Sequence, residues 1–362
     1  MIWLTWRQFR TQAISAVVAL ALFAILLGLT ESHITSLYNS SRIIGCHGGA
    51  CAGQATYFLD RLTSGTGLAL LPAGSNAYVI FYFLSVLVIL IAPVIMGIFW
   101  GSPLIAPELE TGTARLAWNQ SVTRTRWLTV KLALVGVTAM AVTEAFSLIQ
   151  AWWAAPIGKA VGLGGSASII TEGRFGPFVF PTHGITPLGY AAFGFALGVT
   201  VGLLIRRAIP AMAVTLACFA VVQLATSLWI RPNLIPSDQT IATIAGAQAN
   251  LTAASISTVA FTATAVPGHS GAWITATATV NVAGRPDSAV PAACGQAIPH
   301  NLGPAASPTL NTCLTSHGMR LAVSYHPVSQ FWPLQLAETG LFLVLALALA
   351  WYCFWRLNRR RT

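Results

Sequence analysis

The sequence predicts an α-helical polytopic membrane protein: six transmembrane helices, an N-terminal interfacial helix, and a β-rich extracellular insertion before the last helix. Three observations lead there. Hydrophobic residues make up 55% of the chain and charged residues only 8%, where a soluble domain carries about 25% charged residues. Apolar runs long enough to cross a bilayer, which takes roughly 20 residues, recur along the chain. The basic residues behind the net charge of +10 cluster at the ends of those runs, so they read as topology signals with some attraction to anionic membrane lipid. No nucleic-acid partner is implied.

Residues 1–12, MIWLTWRQFRTQ, set Trp3, Trp6 and Phe9 beside Arg7 and Arg10, the composition of a short amphipathic helix lying at the interface. The run 13–29 is the first span rather than a cleaved signal peptide, because the segment before it is long and aromatic and no small-x-small site precedes the polar Thr30 and Glu31. Residues 31–77 are rich in Gly and Ser and read as an outer loop. There Cys46 and Cys51 are placed for a disulfide in an oxidising compartment; a metal site from Cys46-His47-x3-Cys51 is the weaker reading, for want of a fourth ligand. The second span, 78–100, contains Pro93 and Gly97, and a proline there frees a carbonyl that neighbouring helices must accommodate.

Residues 101–131, GSPLIAPELETGTARLAWNQSVTRTRWLTVK, form a polar island between two apolar runs. Glu108 and Glu110 follow Pro107, which suits the first turn of a helix, where acids complement the dipole. Arg115, Arg124, Arg126 and Lys131 give the island the basic character of a cytoplasmic loop. The third span, 128–152, carries Glu144. A carboxylate at mid-membrane costs roughly 2.5 to 3.5 kcal/mol on insertion scales, so Glu144 is either functional or hydrogen-bonded to a neighbour such as Gln223 as interhelical glue. Residues 156–187 read as loop. In the fourth span, 188–205, Gly194, Gly198 and Gly202 share one helix face, so another helix can approach closely. Arg206 and Arg207 form a short inner turn before the fifth span, which ends near residue 230.

Residues 231–332 change character. The stretches 257–266 and 273–282 alternate apolar and polar residues as strands do, with Pro267 to Gly271 between them as a hairpin turn, and 319–325 adds a third strand. Cys294 and Cys313 are expected to close this external segment with a disulfide, the most local pairing alongside Cys46 with Cys51. Cys218 and Cys353 lie within spans as packing residues. The sixth span, 333–355, precedes Arg356 and Arg359 to Arg361, so the chain is expected to end inside. The domains are thus 1–12, 13–230 with a loop at 101–131, 231–332 and 333–362. Arg42, Arg61, Lys159, Arg174, Arg231, Arg285 and Arg320 fall in much longer outer segments, so basic density is higher inside.

Chemistry-bearing motifs are sparse. The sequence has no phosphate-binding loop of the Gly-x4-Gly-Lys-Ser/Thr type, no His-Glu-x-x-His, no Gly-x-Ser-x-Gly, and no aspartate within a predicted span. His33, His47, His183, His269, His300, His317 and His326 all fall in predicted outer loops without metal-ligand spacing. No catalytic residue, metal or cofactor is expected, and the chain does not read as an enzyme.

The aromatic-basic N-terminus, the loop PLIAPELETGTARLAWNQSVTRTRWLTVK between the second and third spans, and the stretches RRAIPAMAVTLACF and SYHPVSQFWPLQLAETG resemble bacterial ABC-2 type transporter permeases. The resemblance covers the layout of the whole chain. It implies that the N-terminal helix and the loop 101–131 couple to a separate ATP-binding cassette ATPase subunit, with Trp3, Arg7, Glu108, Glu110, Arg115 and Arg124 as contact residues. It further implies a second permease copy or a related permease as partner, a cell-membrane location with both termini cytoplasmic, and export of an apolar or amphipathic substrate. The chain departs from the family in its long β-rich external segment. Two other classes compete: a membrane-anchored sensor with an external ligand-binding domain, and an ion-coupled secondary transporter using Glu144.

Overall fold

The computed structural model describes residues 2–46, 50–64, 77–106, 123–165, 173–254, 258–297 and 308–359. Helix α1 (Ile2–Ser40) runs without a break from the expected interfacial segment through the first span and on to Ser40. The polar Thr30 does not end it: its hydroxyl donates to the Leu27 carbonyl within the helix and accepts from the Trp153 indole at 2.8 Å, while Ile34 beyond it is fully buried. Two further helices occupy stretches expected as loop. In α2 (Ala50–Ser64), the buried residues Cys51, Ala55, Phe58, Leu59 and Leu62 recur at helical spacing, a stripe hidden by the surrounding Gly and Ser. The short α5 (Ala155–Gly162) buries Ile157 and Ala160 in the same cluster.

Six helical stretches among the described residues are long and apolar enough to cross a membrane: Phe9–Ser40, Ala77–Leu104, Thr125–Trp153, Thr186–Ile205, Ala208–Asn233 and Val328–Arg359. They comprise α1, α3 (Ala77–Ile95, extended by a π turn over Met96–Gly101 and a 3-10 turn over Ser102–Leu104), α4 (Arg124–Trp153), α6 (Thr186–Ile205), α7 (Ala208–Ala225, extended by a π turn over Thr226–Ile230) and α9 (Phe331–Arg359). Packing clusters fix their directions. Phe9, Trp100, Leu128, Leu203 and Leu357 meet at one end, the terminal end, while Leu27, Tyr78 and Trp153 meet toward the other. Alternate helices therefore run antiparallel.

Helix α6 is the hub. Some 78% of its apolar window is buried, against 17% for α1 and α7, and it packs on α3, α4, α7 and α9. Its glycine face meets α3. A Cβ on Gly194 would lie 2.6 Å from the Pro93 carbonyl oxygen, one on Gly202 would lie 2.5 Å from that of Ser102, and one on Gly198 would collide with that of Gly97. Reciprocally, a Cβ on Gly101 would lie 2.6 Å from the Phe195 oxygen. The partner of the glycine face is thus within this chain. Lipid offers little hydrophobic drive for two helices to associate, so backbone-to-backbone contact through small residues supplies it. Pro93 removes one helical donor, and the π turn that follows swings Gly97 and Gly101 toward α6.

The described residues between α7 and α9 carry two small sheets. Strands β1 (Asp238–Ala242), β5 (Arg320–His326) and β4 (Trp273–Val280) form one in the order β1-β5-β4, antiparallel throughout; β2 (Asn250–Ala254) and β3 (Val259–Thr262) form the other. The strands on either side of Pro267 to Gly271, expected to pair as a hairpin, pair instead with β2 and β5. Alternation marks which face of a strand is buried but not which neighbour it meets. The third strand expected at 319–325 is β5, at the centre of its sheet. Leu321, Val323 and Tyr325 bury one face against Phe261, Leu251 and the short helix α8 (Pro308–Ser316), whose Leu310 and Leu314 are fully buried. Both expected disulfides are formed, Cys46 to Cys51 and Cys294 to Cys313. Cys353 is buried beside Thr200 as a packing residue, whereas Cys218 is exposed on α7.

Replacing Gly198 by Val forces α6 away from α3 at their closest point. It is expected to destabilise the bundle by about 1 to 3 kcal/mol or more, read as a lower unfolding midpoint in detergent, whereas Gly340→Val, at a position with open space, leaves the midpoint near wild type.

Candidate functional site

At the terminal end the structure gathers aromatic rings and basic groups. Trp3 and Trp6 on the first turns of α1 are exposed, and the Arg7 guanidinium stands 5.6 Å from the Trp3 ring centroid. Phe9 one turn on is buried edge-to-face on Trp100 at 4.8 Å, and Gln12 donates to the Phe99 carbonyl at 3.2 Å. These contacts lock the start of α1 to the end of α3. Arg359 stacks over Trp355 at 4.4 Å at the end of α9. Arg206, in the left-handed conformation at φ 59°, closes the tight turn between α6 and α7 beside Arg207.

The expected coupling loop joins this face. Glu108, Glu110 and Arg115 lie outside the described residues, as does the side chain of Arg124, but the two ends of the loop are held together. Thr123 caps α4 by accepting from the Arg126 amide at 3.3 Å. Lys131, one turn further, is buried; its ammonium donates to the Leu104 carbonyl at 3.5 Å and lies 4.7 Å from the Trp127 ring centroid. Lys131 thus ties the start of α4 to the end of α3, at the end of the bundle where Phe9 and Trp100 meet.

The intramembrane polar pair expected at Glu144 and Gln223 is not made. The two side chains share no hydrogen bond: Glu144 Oε2 is buried without a partner, and Gln223 lies instead near the Tyr190 hydroxyl. Helix α6 packs against both α4 and α7.

Sequence reasoning missed a buried ionic cluster near the sheet end. Arg231 and Glu338 are wholly inaccessible and joined in a bidentate pair, Nε to Oε2 at 2.8 Å and Nη2 to Oε1 at 3.0 Å. The Tyr190 hydroxyl donates to Glu338 Oε1 and accepts from Arg231 Nη2 at 3.3 Å. The guanidinium also stands 4.5 Å from the Phe180 ring centroid. Three spans, α6, α7 and α9, are thereby pinned at one point. The π turn Thr226–Ile230 positions the arginine: its phase shift leaves Trp229 69% exposed while turning Arg231 inward. Gln335, one turn before Glu338, adds a second tie, accepting from the Thr186 amide at 3.1 Å and its hydroxyl and donating to the Phe180 carbonyl at 3.2 Å. From Phe180 an aromatic ladder runs through Phe175 and Trp273 to His326, whose ring stacks 5.2 Å from Trp273. The sequence did contain a signal: opposite charges, each close to the end of an apolar run, are expensive in a bilayer unless paired.

His183 follows the Phe180–Thr182 turn. Its Nδ1 lies 2.9 Å from the Val179 carbonyl, and burial, with Arg174 assisting, holds its pKa below the ordinary histidine value. His33, expected in an outer loop, lies instead on α1 and stacks on Tyr78 at 5.2 Å. His317 meets the Cys294 to Cys313 disulfide, a juxtaposition its spacing did not reveal.

A model of the family described as ABC-2 membrane transporter related matches residues 17–231. The chain belongs to that family, as a multi-pass membrane protein. No curated protein and no solved structure matches it. The matched stretch ends at Arg231, whereas its partner Glu338 lies beyond it.

Two outcomes follow, one from the cluster and one from His183. Glu338→Ala leaves a buried arginine uncompensated and is expected to cost about 3 to 5 kcal/mol, while the double change Arg231→Met/Glu338→Leu, which removes both charges, recovers most of that; unfolding midpoints in detergent measure both. For His183, above about pH 6.5 the ring is neutral in folded and unfolded chains alike. As the pH falls below that value the unfolded chain takes up the proton first, so stability declines toward the folded pKa. His183→Gln should flatten the midpoint between pH 7 and pH 5.

Proposed function

We propose that this chain is the transmembrane permease subunit of an ATP-driven exporter, with ATP bound and hydrolysed on a separate ATPase subunit. The observation that carries the reading is the ABC-2 membrane transporter related match over residues 17–231. The terminal face supports it: exposed Trp3, Trp6 and Arg7 sit on a helix locked to α3 through Phe9 and Trp100, and Lys131 ties the start of α4 to the end of α3 at the same end of the bundle. A push on that face moves α1 and α3 together, and the glycine seam passes the displacement to α6. Glu108, Glu110, Arg115 and Arg124 are the residues proposed to complete the contact.

In this reading the basic terminal end, with both chain termini, faces the cytoplasm, and the sheets and disulfides lie outside. The density of arginine at the terminal end supports that orientation. The weakly buried faces of α1 and α7, with Leu22, Ile25, Leu29 and Val221 exposed, are left for lipid, for a second copy of the chain or for a related permease. An apolar or amphipathic substrate fits the scarcity of charge in the spans. One observation favours an ion-coupled alternative, the unpartnered Glu144 Oε2; the anchored sensor reading has no specific observation behind it.

The test is recovery of partner subunits from the native membrane in detergent. Wild type is expected to bring down an ATPase subunit, and the double reversal Glu108→Lys/Glu110→Lys to lose it while keeping the wild-type unfolding midpoint. An ATPase retained by the reversal would remove those glutamates from the contact. No ATPase with either protein, together with substrate movement that follows a proton gradient and fails in Glu144→Gln, would replace the exporter reading with the ion-coupled one.

A further inference from the structure

We propose that Cys294, Cys313 and His317 form a thiol–disulfide exchange site, in which the disulfide is opened and reclosed by thiol reductants with His317 as proton donor. The three residues come from two elements. Cys294 sits in the 3-10 turn Ala292–Ala297, Cys313 on α8, and His317 directly follows that helix. His317 Nδ1 lies 3.8 Å from Cys294 Sγ and 4.0 Å from Cys313 Sγ. The same nitrogen is 2.9 Å from the Cys313 carbonyl oxygen. A carbonyl only accepts, so Nδ1 carries a hydrogen, held at rest by that carbonyl, with Ser316 Oγ at 3.3 Å and the two sulfurs as its next neighbours.

Accessibility makes the two sulfurs unequal. Cys294 is fully buried in the sheet core, Cys313 is partly accessible, and His317 is exposed. An incoming thiolate therefore reaches Cys313 first. A bond forms between its sulfur and Cys313 Sγ; the Cys294–Cys313 bond breaks, and its electron pair goes to Cys294 Sγ. His317, protonated from solvent through Nε2, passes the Nδ1 proton to that sulfur and is left neutral. A second thiol then attacks the incoming sulfur in the mixed disulfide, releasing Cys313 as a thiol and leaving the two small thiols joined. The protein has gained two electrons and two protons, and the reductant has become a disulfide. A hydrogen bond to a departing thiolate lowers its basicity, and a less basic thiolate leaves faster.

Reduction need not unfold the segment. Leu310 and Leu314 of α8 are fully buried against β5, so the helix stays docked and Cys294 stays positioned to reclose the bond. That separates an exchange site from a bond whose loss releases the fold.

The test uses the full chain in detergent with glutathione as the probe, quenched by alkylation and mapped by peptide mass. The Cys46 to Cys51 disulfide of the same molecules is the internal reference. Wild type is expected to show a transient glutathione adduct on Cys313 with Cys294 alkylated. His317→Ala is expected to slow reduction of Cys294–Cys313 about tenfold, to leave the Cys46–Cys51 rate unchanged, and to be rescued by free imidazole, which a purely structural role for the ring would not allow. A Cys294–Cys313 rate in His317→Ala within about twofold of wild type would overturn the proposal. So would an adduct on Cys294, or a slowed rate that imidazole does not restore.

Discussion

The contact on which the rest of the bundle depends is the backbone-to-backbone seam between α3 and α6. Within a bilayer, helices gain little from burying apolar side chains against each other, because lipid is equally apolar, so close van der Waals contact has to hold them. Three glycines on α6 meet Pro93, Gly97 and Ser102 at distances that no Cβ would permit. Once α6 is drawn against α3 it becomes the central helix, with α4, α7 and α9 around it. Ser102 and Thr215, whose hydroxyls are 3.1 Å apart, attach α7 to the same point.

The second organising feature works by charge. Arg231, Glu338 and Tyr190 bond one another, with Phe180 covering the guanidinium. A buried ion pair contributes modest net stability, because desolvation opposes the attraction, but losing one partner is costly. Its effect is therefore to specify arrangement: α6, α7 and α9 can meet at that level in one register. The aromatic ladder from Phe180 to His326 extends the specification to the sheets, so the β-bearing segment is tied to the bundle through stacked rings as well as through its two chain connections.

Both π turns fall where these two features need them. Met96–Gly101 follows Pro93 and aims glycines at α6, and Thr226–Ile230 precedes Arg231 and turns it inward. One extra residue per turn shifts the phase of everything after it. Neither shift follows from a regular 3.6-residue repeat: counted from the buried Thr226, such a repeat would bury Ile230 and set Arg231 outward, whereas the π turn brings Arg231 under Thr226.

Much of the architecture was legible in the chain itself. Apolar runs separated by basic clusters prescribe the spans, because only a helix satisfies its own backbone in hydrocarbon. The four-residue spacing of Gly194, Gly198 and Gly202 prescribes a close-packed face, and of the three pairings open to the four outer cysteines the most local is the one formed. The candidate coupling face was legible in part, through Trp3, Arg7 and the polar island, since aromatic and basic residues mark an interface by composition alone. What only the tertiary structure decided was partnership. That the glycines meet α3, that β5 lies between β1 and β4, that Glu144 and Gln223 stay apart, and that Arg231 finds Glu338 across more than a hundred residues all depend on which surfaces meet. Periodicity reports the face a residue occupies, and what stands opposite that face is settled only when the whole chain has packed.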